Sequence, residues 1–269
     1  MYYSYLYRII IPMETETNTE IFGKKIFFLF PSTLVKNEVI SELIQLEYEV
    51  YVANDAKKLR PVLKKYPNSI VFANIDEGMP EKDWDQWVRG VMGSTETAQV
   101  AVGILSSGSD EMTQRKYVNS IKVQAGFVPV KSDINKVTKQ IVDTLKTLDA
   151  KGRRKFIRVT SDNDTMTTIN IPFDGRFITG SIKDISVVGL SCAFQEDPDL
   201  DKGTYLKDIQ IKLQSMLLKT EAIVFGSRID GMYKVYVFLF TTKIDPDVKT
   251  KIRKYMQTNL QAKMDEEMK

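Results

Sequence analysis

From Lys151 to Arg158 the chain reads Lys151-Gly152-Arg153-Arg154-Lys155-Phe156-Ile157-Arg158, five cations among eight residues with no acid between them. A run of this kind reads first as a solvated linker. Arginine at 153, 154 and 158 widens the chemistry, because a guanidinium is planar and always charged. It grips a phosphate bidentately, pairs with guanine O6 and N7, or stacks on a base face. Twenty-six residues after Arg158 comes Asp184-Ile185-Ser186-Val187-Val188-Gly189, at the end of an expected strand. A carboxylate accepts well from the N1–H and N2–H₂ edge of guanine, and a hydroxyl two residues on points the same way from extended backbone. Gly189 permits a positive φ or the close approach of a ligand. Taken alone, the segment also reads as a turn held by its own Asp and Ser side chains.

Little else in the chain competes with these residues. There is no histidine, which removes Ser-His-Asp triads, Cys-His dyads and His-ligated metals together. The single cysteine, Cys192, excludes an internal disulfide and a thiolate metal cluster, suits a reducing cytosol, and reads as a small core residue. No catalytic group, metal or cofactor is therefore expected. The 269 residues are 43% hydrophobic and 27% charged, enough to fill a core, and the net charge of +3 makes any basic site a local one. The early apolar stretch Tyr2–Pro12 is broken by Arg8 and is too short to span a bilayer. No membrane insertion is expected, and either Met1 or Met13 suits as initiator. The expected location is the cytoplasm.

Two kinds of pattern position the candidate residues. Expected strands at Ile26–Phe30, Glu49–Ala53, Ser69–Ala73, Val100–Leu105 and Phe127–Val130 alternate with helices at Val35–Leu46, Ala56–Lys65, Trp84–Met92, Glu111–Ile121 and Asn135–Leu148. Strands that are apolar throughout are covered on both faces, so this half is α/β, a doubly wound parallel sheet. After Leu148 come six β-rich segments: Thr167–Ile171, Phe177–Lys183, Leu190–Phe194, Tyr205–Leu213, Leu217–Phe225 and Tyr233–Phe240. Turn residues separate them, and together they predict a small closed antiparallel barrel. A last helix follows Asp245, its apolar stripe Val248, Ile252, Tyr255, Met256 and Leu260 either packing on the barrel or joining two copies as a homodimer.

In length and element order the first half resembles the receiver domain of two-component response regulators. Asp76 stands four before Pro80, where that family is phosphorylated, and Ser106 and Lys131 fall near its hydroxyl and lysine positions. The Mg²⁺-holding acidic pair is missing: Phe30-Pro31-Ser32 occupies its place. This half is therefore expected to be a pseudo-receiver that serves packing or partner contact, with Asp76 and Lys131 as ordinary loop residues. Trp84 and Trp87 read as a core-facing aromatic pair.

Arg154-x-x-x-Arg158 followed by Asp184-x-Ser186-x-x-Gly189, ahead of a run of strands, resembles the PilZ domain, whose motifs are RxxxR and [D/N]xSxxG. The resemblance implies a six-stranded barrel that binds cyclic di-GMP, arginines clamping phosphate and guanine while the Asp-Ser motif reads the other base edge. It carries Arg154, Arg158, Asp184, Ser186 and Gly189 into those roles. Arg153, just before the motif, falls where PilZ proteins set whether one or two ligands bind. The expected organisation is an N-terminal extension (1–24), a receiver-like domain (25–148), a basic linker (149–158), a barrel (159–245) and a terminal helix (246–269). The function implied is that of a bacterial second-messenger effector with a protein partner in motility, adhesion or secretion. A phospho-dependent response regulator with a β-barrel output and a nucleic-acid binder using the basic run are the rivals. The missing acidic pair counts against the first; the lack of further basic stripes with interleaved aromatics counts against the second.

Overall fold

The computed structural model describes residues 22–269 apart from 109, 132, 162, 163, 242 and 243. Tyr2–Pro12, Met13 and most of the expected extension lie outside the described residues. The chain divides into two compact units, one ending at Lys155 and taking in Gln261–Lys269, the other Phe156–Leu260.

In the first unit, β1 (Ile26–Leu29), β2 (Val50–Ala53), β3 (Ile70–Asn74), β4 (Ala101–Ser106) and β5 (Phe127–Pro129) form a parallel sheet in the order β2-β1-β3-β4-β5. This is the flavodoxin-like doubly wound order. Five helical segments alternate with the strands: α1 (Val35–Ile40 π-helical, then Ser41–Gln45), α2 (Ala56–Lys65), α3 (Glu81–Gly93), α4 (Glu111–Arg115, then Lys116–Ile121 π-helical) and α5 (Ile134–Thr147). Val39 and Leu43 of α1 and Val137, Ile141 and Leu145 of α5 share one core with Ile26, Phe28, Ile70 and Phe72. The alternating strand residues Phe27, Leu29, Val71 and Ala73 are equally buried and face the other side, which is why β1 and β3 are apolar along their length up to Asn74 at the end of β3. Trp84 and Trp87 on α3 form the expected core pair, their rings 5.8 Å apart edge to face, their indole N–H groups donating to the carbonyls of Glu77 (3.0 Å) and Ala56 (3.1 Å). Asp55 caps α2 by accepting from the Lys57 and Lys58 N–H groups, and the helix stops before Pro67. At the sheet's β2 edge, the Gln261 carboxamide accepts from the Val52 N–H and donates to the Val52 carbonyl, both at 2.9 Å, pairing backbone that an edge strand leaves open.

In the second unit, β7 (Thr167–Phe173), β8 (Arg176–Ser186), β9 (Gly189–Phe194), β10 (Tyr205–Leu213), β11 (Met216–Asp230) and β12 (Tyr233–Phe240) make the expected six-stranded antiparallel barrel. The β8–β9 pairing closes it, and a short β6 (Val159–Thr160) adds to β8. Ile169, Ile171, Ile182, Ile185, Cys192, Ile211 and Phe238 lie in its core, so Cys192 is the small core residue expected. The terminal helix α6 (Pro246–Glu267) buries Val248, Ile252, Tyr255 and Met256 in that same core. Four residues of the stripe are thereby used in packing, with Leu260 partly buried against the same core. The Tyr255 hydroxyl also meets Ser161, Thr167 and Asp164 at 3.1–3.2 Å. β11 runs on to Asp230, past the expected end at Phe225. Gly226 to Asp230 is too polar to read as a strand, and it is held extended by its ladder with Tyr233–Val237. Among the described residues no helix is long and apolar enough to cross a membrane.

Candidate functional site

The twenty-six-residue gap between the motifs is closed by a strand pairing. β6 lies antiparallel to the end of β8, with Val159 opposite Ile185 and Thr160 opposite Asp184. The residue just before β6 is Arg158. Its Nη1 donates to Asp184 Oδ1 at 3.2 Å, with side-chain exposures of 20% and 16%. This ion pair, half withdrawn from water, joins one residue from each motif.

A bulge makes Asp184 available to that pair. Along β8, Ile178, Gly180 and Ile182 are buried while Thr179 and Ser181 are exposed. Continued regularly, the alternation would turn Asp184 into the core and Ile185 out. The β8–β9 register instead runs Ile182 opposite Cys192, then Asp184 opposite Ser191, so Lys183 is an extra residue. Beyond it the phase is reversed: Ile185 enters the barrel core and Asp184 turns outward. Bulges re-aim side chains in this way and recur beside binding sites.

The remaining motif residues build the turn. Ser186 is 1% exposed and its hydroxyl donates to the Gly189 carbonyl at 3.0 Å, across the two-residue turn Val187-Val188. Gly189 has no positive φ. A Cβ there would stand 2.2 Å from the Phe238 carbonyl oxygen on β12. The expectation of a positive φ thus gives way to close strand packing: the glycine is needed because β12 lies against it. The turn that it and Ser186 hold ends the strand carrying Asp184.

Arg158, Asp184, Ser186 and Gly189 are brought together within the barrel unit. Arg153 and Arg154 belong to the first unit, where Arg153 is exposed and Arg154 half-buried. The Arg154 guanidinium stands 4.4 Å from the Phe22 ring centroid, a cation–π contact. Three neighbours of the motifs escaped the sequence reading: Phe22, Lys183 and Ser191. Ser191 is fully buried and donates to Asp184 Oδ2 at 2.5 Å. The bulge had a visible signal, the shift of apolar residues from even positions (Ile178, Ile182) to odd ones (Ile185, Val187). Phe22 and Ser191 had none.

Cys192, next on β9, offers no nucleophile, since burial and then the Asp184 charge push its thiol pKa up. In the first unit, Asp76 is taken up by serines. Its Oδ1 accepts from Ser106 Oγ (2.6 Å) and its Oδ2 from the Ser107 N–H (2.5 Å) and hydroxyl (2.7 Å). Burial alone would raise this carboxyl; the hydrogen bonds outweigh it and hold the pKa below the usual carboxylate value. Lys131 is exposed. At the end of β1, Asn74 Nδ2 donates to the Phe30 carbonyl at 2.9 Å.

The fold and the site together are a doubly wound parallel five-stranded sheet and a closed six-stranded antiparallel barrel, with the RxxxR and DxSxxG segments meeting at the barrel through Arg158 and Asp184. No family model and no curated protein matches the chain. Among solved structures it is similar to the PilZ domain with c-di-GMP of YcgR from Escherichia coli, at 14% identity and TM-score 0.36, over 42% of this chain and 96% of that one. It is also similar to the K. pneumonia MrkH-c-di-GMP complex, at 18% identity and TM-score 0.37, over 43% of this chain and 57% of that one. A response regulator from Desulfuromonas acetoxidans is similar at 16% identity and TM-score 0.39, over 47% of this chain and 99% of that one.

Proposed function

We propose that the chain is a non-enzymatic cytoplasmic receptor for cyclic di-GMP, with its binding site built on Arg153, Arg154, Arg158, Asp184, Ser186 and Gly189. The observation that carries this reading is the ion pair between Arg158 and the outward-turned Asp184. A guanidinium and a carboxylate side by side match a guanine nucleotide, which offers acceptors at O6, N7 and phosphate and donors at N1 and N2. In this reading Arg154 and Arg158 clamp phosphate and guanine O6/N7, Asp184 accepts from N1–H and N2–H₂, and Ser186 and Gly189 hold the turn behind it. The ligand enters by exchange, replacing the contact between Arg158 and Asp184 with contacts to itself, so neither charge is left unpaired. The experiment is calorimetric titration with cyclic di-GMP, with GTP and cyclic AMP as controls. Saturable binding of the first alone supports the reading, and no heat from it overturns the reading.

The effector step follows from where the arginines lie in the chain. They sit on the segment that leads into the barrel, and the acceptor sits on a barrel strand. Binding would be converted into a change of domain arrangement or of contact with a protein partner in motility, adhesion or secretion. Slower hydrogen exchange at Lys151–Arg158 with a changed radius of gyration on adding cyclic di-GMP is the expected signature; both unchanged at saturation would leave a rigid docking module.

A further inference from the structure

Resting on the cyclic di-GMP reading, we infer that Ser191 is a positioning residue for Asp184, dividing the carboxylate between an anchored oxygen and an exchangeable one. Asp184 and Ser191 are direct cross-strand partners on β8 and β9, in a register set by the bulge at Lys183. The Ser191 side chain is fully buried, and its hydroxyl is committed to Oδ2 at 2.5 Å. Arg158 reaches only Oδ1, through Nη1 at 3.2 Å. A guanidinium and a carboxylate left to themselves favour a bidentate fork, two parallel N–H···O bonds. Ser191 works against that fork by holding Oδ2 on the strand side. Arg158 is then kept in a single-contact pair that a nucleotide can displace, and the carboxylate plane is fixed for a donor edge arriving from outside. A carboxylate held in one orientation also discriminates better, because a ligand lacking the matching donor leaves it unsatisfied.

The test uses the full chain and two ligands, cyclic di-GMP and its hypoxanthine counterpart cyclic di-IMP, which lacks the N2 amino donors. Ser191→Ala should weaken cyclic di-GMP binding about tenfold, the loss of one charge-assisted hydrogen bond. It should also narrow the preference for cyclic di-GMP over cyclic di-IMP, which a merely structural role would not move. Ser191→Cys, near in size but a weaker donor, should fall between wild type and alanine, and it serves in place of alanine if that variant does not fold. Wild-type affinity and preference in Ser191→Ala would overturn the inference, as would a lowered thermal midpoint and weaker binding with the preference unchanged. A wild-type protein that binds neither ligand would instead overturn the cyclic di-GMP reading, and this inference with it.

Discussion

Ile182 and Ile185, three residues apart on one β-strand, both point into the barrel core. In a regular strand residues so spaced face opposite sides. Lys183 makes the exception: it is bulged out of the ladder, so Asp184 pairs with Ser191 and turns outward. Deleting Lys183 would leave a regular strand in which Ile182, Asp184 and Ile185 face in, out and in, with Asp184 still opposite Ser191. The deletion should therefore keep the barrel folded, within about 1 kcal/mol of wild type, and keep ligand binding, by denaturant unfolding and titration. Loss of binding in a folded deletion variant would show that the local twist of the bulge, and not only the phase it sets, positions Asp184.

Arg154→Ala and Arg158→Ala should each weaken cyclic di-GMP binding by about 1.5–3 kcal/mol, the value of a charge-assisted contact. They should differ in stability. Arg158→Ala strands the half-buried Asp184 carboxylate and should cost about 1–3 kcal/mol of unfolding free energy. Arg154 stands over an exposed ring, so its removal should cost well under that, about 0.5–1 kcal/mol. Asp184→Ala should blunt discrimination for guanine. Equal stability losses for the two arginine variants would contradict the assignment of the Asp184 pair to Arg158.

In the proposed site, ligand stoichiometry should turn on Arg153. An exposed long cation can lie over a guanine face or reach the phosphate of a second ligand, where a bulky apolar side chain would crowd it out. Two ligands per chain are expected, and Arg153→Leu should move saturation towards one. Saturation of the wild type at one would refute this role for Arg153 while leaving the site in place.

Asp76 should behave as a structural carboxylate. Acetyl phosphate or beryllofluoride with Mg²⁺ should leave it unmodified, since its oxygens are taken by Ser106 and Ser107. Its pKa is lowered by folding. Its stabilisation is therefore present in full above the ordinary carboxyl value of about 3.9 and is lost as pH falls through the lower folded value. Wild type minus Asp76→Asn, followed by thermal unfolding, should show a gap that is constant at neutral pH and closes below about pH 4. Stable Mg²⁺-dependent phosphorylation at Asp76 would support a response regulator instead.

Much of this architecture is legible in the sequence because burial writes it there. Unbroken apolar strands such as Ile70–Ala73 report a sheet covered twice, and the alternation of Ile209, Ile211 and Leu213 reports a barrel wall with one wet face. Long-range geometry is less accessible. The motif spacing carries no trace of the β6–β8 register that brings Arg158 to Asp184. Gly189 suggested φ freedom, whereas its neighbour across the ladder, Phe238, decides its role. The polar end of β11 is extended because its partner strand holds it. Ser191 is one serine among many until the register sets it opposite a carboxylate.

In the proposed site the guanidinium and carboxylate groups of the two motifs together hold cyclic di-GMP. Calorimetric titration of the wild type beside the Arg154→Ala/Arg158→Ala double variant tests this. The predicted result is saturable binding by the wild type and no measurable binding by the double variant, with both folded by circular dichroism. Full-strength binding by the double variant would contradict it.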